Sequence, residues 1–278
     1  MKYSRTQKKI TLPHAISPQV EGLSFHEIYH AFAKTNYGYI LKHRIRWSMF
    51  KPTEYSDAEW ERVLGKDANN LEHLLIAFRQ TKDFLKADQV FTFAECQLLL
   101  LTAIVHDWAE PAVGDIMRYI KKAEDDKREI KLLKNVLHEV LGGRLDNKTI
   151  NAVCRILQDK HSRLGFAFNT IETLGYFETA VRAWEQSKKV NGDLQGRLKW
   201  LMSNVLLVDI HKLMERESTF ISVGRFLKKH KKVLDEAFTK MPDSVFEFHR
   251  HDKKQYYREK FYEQRKNWSS YSKTLTAL

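Results

Sequence analysis

The sequence predicts an all-α helical bundle. Apolar residues recur at spacings of three and four along most of the chain, as at Leu71, Leu74, Leu75 and Phe78. Almost no stretch shows the alternation of a half-buried strand. With 278 residues, 43% of them hydrophobic, the chain is long enough to close one sizeable core with additions around it.

Residues 1–20 read as irregular, punctuated by Pro13 and Pro18. Helical spacing begins at Phe25 and runs through Phe32. That segment holds His26-Glu27-Ile28-Tyr29-His30, an H-E-x-x-H match, which on a helix sets two histidines on one face for zinc with a glutamate as base. No longer H-E-x-x-H-x-x-G-x-x-H pattern follows, so an amphipathic helix with surface histidines is the favoured reading. Arg46-Trp47 comes next. An Arg beside a Trp can clamp a phosphate and stack on a base or sugar, and it can equally be a core Trp with a solvated Arg. Residues 51–67 read as a loop and a short helix, with Ser56 as N-cap and Glu59 as its capping-box partner.

Asn69–Phe84 is expected to be a helix, with His73 inside its apolar stripe. Residues 92–109 form the central expected helix, burying Cys96, Leu99, Leu100, Ala103 and Ile104. Pro111 ends it and leaves His106 and Asp107 near its C-terminus. Residues 122–141 are a charged helix with Ile130, Leu133, Leu137 and Val140 inward, stopped by Gly142-Gly143. Further helices are expected over 146–160, 170–188 and 194–216, with a turn at Asn191-Gly192 and Asp209 on the last helix. From Arg225 the tail is basic and aromatic-rich (Tyr256, Tyr257, Phe261, Tyr262, Trp268, Tyr271), and packing back on the core is its favoured reading.

The net charge of +12 is carried by the two ends. Residues 1–50 hold 8 Lys/Arg against 2 Asp/Glu, and residues 225–278 hold 14 against 7. The middle is balanced, with 25 against 26. Basic ends favour anionic partners, although a solvated surface reads the same way. Two cysteines, Cys96 and Cys154, make no disulfide framework. The start lacks an apolar leader, and the longest apolar run, Leu98–Val105, is far short of the roughly 20 residues a membrane span needs. A cytoplasmic location without membrane attachment is therefore expected. No repeat and no Gly-rich phosphate loop is present.

The chemistry concentrates in Leu98–Asp115. An apolar run ends in adjacent His106 and Asp107, with Glu110 at the i+4 and i+3 spacings that share a helix face, and Asp115 after Gly114. Such groups behind a buried helix need partners or a metal. His73, His106, Asp107 and Asp209 together make an imidazole–carboxylate set on three expected helices. That set suits a divalent ion with positions left open for water and a phosphate. For Asp209 a salt bridge to Lys212 or Arg216 is the other reading.

This arrangement resembles the HD-domain phosphohydrolase superfamily, whose pattern is H…HD…D, and within it the 5′-deoxyribonucleotidase-like branch. Asn69-Asn70-Leu71-Glu72-His73 is similar to that branch's N-x-x-E-H segment. His106-Asp107-Trp108-Ala109-Glu110 with Gly114-Asp115 resembles its H-D-x-x-E-x-x-x-G-D, and Arg46-Trp47 with Met49 its R-W-x-x-M. The resemblance covers roughly residues 40–216. It implies an HD-type helical bundle in which His73, His106, Asp107 and Asp209 bind Mn, Co, Mg or Zn. Glu110 would assist the attacking water and Asp115 would hold the substrate or the water network. Arg46, Trp47 and Lys121 would face the nucleotide. The chain departs from the branch in the intervening residues 51–67, in Ile116-Met117-Arg118-Tyr119 where a proline-rich turn is usual, and in a longer span over 142–205.

The expected organisation is a basic N-terminal extension over 1–39, an HD domain over 40–220 and a basic C-terminal extension over 221–278. The expected activity is metal-dependent removal of phosphate from nucleoside 5′-monophosphates. The alternatives are HD-type hydrolysis of a triphosphate or cyclic dinucleotide, and a basic RNA- or anionic-polymer-binding protein with a structural HD site. The expected partners are a small nucleotide and, through the basic ends, nucleic acid or another anionic surface. A homodimer is left open.

Overall fold

The computed structural model describes residues 19–20, 22–113 and 123–275. The all-α expectation holds: apart from a pair of two-residue strands, the described regular structure is helical. Two compact units form, one from residues 1–46 and 69–172, the other from 47–68 and 173–278.

In the first unit β1 (Gln19–Val20) pairs antiparallel with β2 (Leu23–Ser24), setting Val20 opposite Leu23. Ser24 then caps α1 (Phe25–Ala33). Its hydroxyl accepts from the Glu27 N–H, and the Glu27 carboxylate accepts from the Ser24 N–H at 2.8 Å. Phe25, Ile28, Tyr29 and Phe32 are buried, one turn apart. α2 (Asn36–Lys42) follows so tightly that a Cβ on Gly38 would stand 2.3 Å from the Phe32 carbonyl oxygen. Only glycine fits that corner.

α4 (Asn70–Ala87) and α5 (Phe93–Val105) pack together in this unit. Thr92 and Glu95 form the capping box that starts α5, and Leu99 through Val105 are all buried. α5 ends earlier than the sequence suggests. Residues 106–109 are turns, and α6 (Glu110–Val113) begins anew. The reason is local. The Val105 and Asp107 carbonyls accept from Trp108 and Glu110, three residues on, and Pro111 has no N–H to continue an i→i−4 ladder. Proline sits instead in the first turn of α6, where its missing donor costs nothing. Trp108 is fully buried and stacks on Phe32 at 4.3 Å. α7 (Ala123–Leu141), α8 (Asn147–Gln158) and the part of α9 (Arg163–Ser187) through Glu172 complete the unit. α9 starts seven residues before the helix expected at 170, because the Ser162 carbonyl already accepts from Phe166. Cys96 and Cys154 are free and buried. Burial, with the charge of Glu95, pushes the Cys96 thiol up to about 11, which leaves it inert.

The second unit is built from α3 (Asp57–Leu64), the rest of α9, α10 (Gly192–Arg216), α11 (Ile221–Lys240) and α12 (Lys254–Thr274). The Ser56–Glu59 capping box forms as expected. Asp67 is buried and accepts from the Thr179 hydroxyl, while Arg182 donates to the Leu64 carbonyl at 2.6 Å. The aromatic tail does pack inward. Phe246, Phe261 and Trp268 are buried, with Phe261 and Trp268 against Phe238 and Phe246 against Phe261, and the Trp268 indole N–H donates to Asp235 at 2.8 Å. Among the described residues no helix is long and apolar enough to cross a membrane.

Candidate metal centre

The first turn of α4 is fastened before it presents His73. The Asn69 side-chain oxygen accepts from the N–H groups of Leu71 and Glu72, and its amide donates to the Lys42 carbonyl at 2.8 Å. The Asn70 N–H donates to the Arg44 carbonyl, and Ile45 bridges Asn69. His73 follows with 8% exposure, on a helix end that cannot fray freely.

His106 occupies the C-cap of α5, where unpaired carbonyls give the helix end a negative character that favours a cation. Its Nδ1 lies 3.0 Å from the Ala103 carbonyl oxygen, an acceptor, so Nδ1 carries the proton. Nε2 then faces the Asp107 carboxylate at 3.2 Å, and Phe168 borders the ring. His73 Nε2 lies 4.0 Å from the same carboxylate oxygen. The ligand atoms of His73, His106 and Asp107 all fall within 4.8 Å of one another. Nε2 of His106 and the Asp107 oxygen are both lone-pair donors at hydrogen-bond distance. Something positive therefore belongs between them, either a proton or a metal ion. The donor set of two imidazoles and a carboxylate fits a divalent transition metal and leaves coordination positions open.

The electrostatics agree. Burial works against a charged His106, but the charge and hydrogen bond of Asp107, with the charge of Glu172, outweigh it and raise its pKa above the ordinary value. Burial likewise raises Asp107. The charge and hydrogen bond of His106, then the charges of His73 and Arg46, overcome this and hold the carboxylate well below its usual range. Arg46 thus acts on both groups electrostatically.

Glu110 is held from two sides. The Asn70 side-chain amide donates to its carboxylate at 3.4 Å, and the Arg44 guanidinium donates to the Glu110 and Pro111 carbonyls. Since His106–Ala109 are turns, Glu110 is tied to Asp107 through its N–H to the Asp107 carbonyl at 3.0 Å rather than by a shared helix face. Trp47 belongs to the second unit. It has a left-handed backbone (φ 61°), and its ring meets Tyr176 edge-on at 5.8 Å. Asp209 is also in the second unit, buried on α10 and paired with Lys212 at 2.7 Å. Asp115 and Lys121 lie outside the described residues. Sequence reasoning missed Asn70, Arg44 and Glu172. Asn70 stands inside the quoted N-x-x-E-H segment and could have been found there; Glu172 gave no signal beyond being an acid in an apolar and threonine run.

The chain matches no family model, no curated protein and no solved structure among those compared.

Proposed function

We propose that the protein is a metal-dependent phosphohydrolase of the HD type acting on nucleoside 5′-monophosphates. The observation that carries this reading is the His73–His106–Asp107 cluster, in which a tautomer-fixed imidazole nitrogen faces a carboxylate at 3.2 Å. Those three side chains would hold the ion. When bound, a divalent ion lowers the pKa of a water and polarises a phosphoryl oxygen. The chain supplies the rest. Arg46 offers a fixed positive charge to the substrate phosphate. Glu110, whose carboxylate accepts from Asn70, would take a proton from the attacking water. The clamp from Arg44 fixes the backbone that carries Glu110, which matters because general bases act only within hydrogen-bond reach.

The test is phosphate release from a panel of nucleoside 5′-monophosphates, using metal-stripped protein with Mn²⁺, Co²⁺, Mg²⁺ or Zn²⁺ restored. Release that requires both metal and Asp107 supports the proposal. Stoichiometric metal binding without turnover on any monophosphate moves the substrate to triphosphates or cyclic dinucleotides. Failure to bind any divalent ion removes the reading.

One observation favours a second reading, a polyanion-binding protein. On α11, Arg225, Lys228, Lys229 and Lys232 are all exposed at i, i+3, i+4 and i+7, and none makes an ion pair among the described residues. Like charges at those spacings repel, so the stripe costs stability unless an anion covers it. RNA retention that falls steeply with salt, and is lost when the stripe is replaced by glutamine, would establish this reading.

A further inference from the structure

The H-E-x-x-H segment of α1 has no part in the centre described above, and its glutamate is not available as a base. Both the N–H and the hydroxyl of Ser24 donate to the Glu27 carboxylate, at 2.8 and 2.7 Å. These bonds hold Glu27 below its ordinary pKa and pin it to the helix start. The two histidines are different. His26 and His30 are exposed, one helical turn apart, with Nε2 atoms 2.9 Å from each other and ring centroids 4.1 Å apart. Tyr29 meets the His30 ring edge-on at 5.4 Å and restrains it.

At 2.9 Å one Nε2 donates and the other accepts. If the donor ring carries its proton on Nδ1 instead, a tautomer shift with no change of charge, both Nε2 lone pairs point into one space. Metal–imidazole bonds are about 2.0–2.1 Å, so nitrogens this far apart subtend an angle of about 90° at a shared ion. A tetrahedral ion needs them about 3.4 Å apart at the same bond length. The separation therefore suits two adjacent positions of a tetragonal ion. Among late first-row dications, that geometry belongs to Cu²⁺ and Ni²⁺, and Cu²⁺ is bound most tightly by a given nitrogen set.

We propose that His26 and His30 form a bidentate surface chelate for a tetragonal transition-metal dication, Cu²⁺ before Ni²⁺, separate from the buried His73–His106–Asp107 cluster. Two protein nitrogens leave the remaining positions to water, so the site is open and exchangeable. The helix that bears it is fixed at its start by the capping box and along its inner face by Phe25, Ile28 and Phe32.

The experiment titrates the full chain with Cu²⁺ or Ni²⁺ by calorimetry, with the copper electron paramagnetic resonance spectrum as second readout. Wild type is compared with His26→Gln, His30→Gln and the double variant, and circular dichroism checks that α1 stays folded. The expected result is one copper equivalent beyond any held by the His73–His106–Asp107 cluster, whose spectrum reports two equatorial nitrogens in wild type. Each single variant weakens that equivalent by roughly tenfold or more, because the second ligand's effective concentration is lost. The double variant abolishes it. The same series on an Asp107→Ala background shows the same loss if the two sites are separate. Copper binding unchanged by the double variant, or Zn²⁺ held as tightly as Cu²⁺ by the pair, overturns the proposal.

Discussion

Asp107 is the residue on which the candidate centre turns, since both imidazoles face its carboxylate. Asp107→Asn keeps the shape and removes the charge. The expected outcome is loss of the bound divalent ion by metal analysis, and a fall in phosphate release by roughly three orders of magnitude. Asn70 makes a finer test. Asn70→Ala leaves all three ligands in place and removes one hydrogen bond from the Glu110 carboxylate. It should lower kcat by roughly tenfold with KM nearly unchanged, as for a lost orienting hydrogen bond. Steady-state kinetics with stoichiometric metal separate that outcome from a folding defect. The adjacency of His106 and Asp107 was legible in the sequence because neighbours in a chain are neighbours in space. The approach of His73 to them was legible only by joining ligand-type residues across expected helices and from the resemblance, since no spacing in the chain sets it. The parts played by Arg44 and Glu172 were not, since a backbone clamp and a charge from another helix leave no local pattern.

At the scale of elements, the sequence told most where a single side chain starts a helix. Ser56 with Glu59 is an example, because the bonds that start a helix are local. It told less about where α5 stops. A proline was visible at position 111, but the switch to three-residue bonding from Val105 onward depends on backbone geometry that composition does not encode. α11 and α12 were read only as a basic tail, because their charged faces mask the buried rows, such as Val223, Leu227 and Leu234. Two substitutions test the element-level account. Thr92→Ala removes the cap of α5 and should cost about 1 kcal/mol in denaturant unfolding. Gly38→Ala drives a methyl into the Phe32 carbonyl and should cost about 3 kcal/mol, well beyond any helix-propensity gain from alanine.

At the scale of the molecule, the chain divides its chemistry between two units, and acid should act on them differently. In the first, with no ion at the His73–His106–Asp107 cluster, the raised pKa of His106 means the folded form holds a proton more tightly than the unfolded chain. That contribution is fully present below about pH 6.5 and is lost as pH rises through the folded value. In the second unit His249 does the opposite. Its Nε2 accepts the Trp200 indole N–H at 3.2 Å, and its ring stacks on Tyr257 at 4.1 Å. Burial alone lowers its pKa to about 4. A proton on Nε2 would face the indole N–H instead of accepting from it. Above pH 6.5 neither state takes the proton and nothing is lost. As pH falls from 6.5 towards 4, the unfolded chain binds a proton that the folded unit refuses, and stability drops until it levels off near 4. The full shift would be worth about 3 kcal/mol, and solvent reaching this half-buried ring reduces that to about 1–2 kcal/mol. His249→Gln keeps an acceptor for the indole without a titrating group. The difference in unfolding free energy between wild type and this variant should be flat above pH 7 and move in the variant's favour by that amount between pH 6.5 and 4. A difference independent of pH would mean that His249 is not the neutral acceptor of the Trp200 N–H.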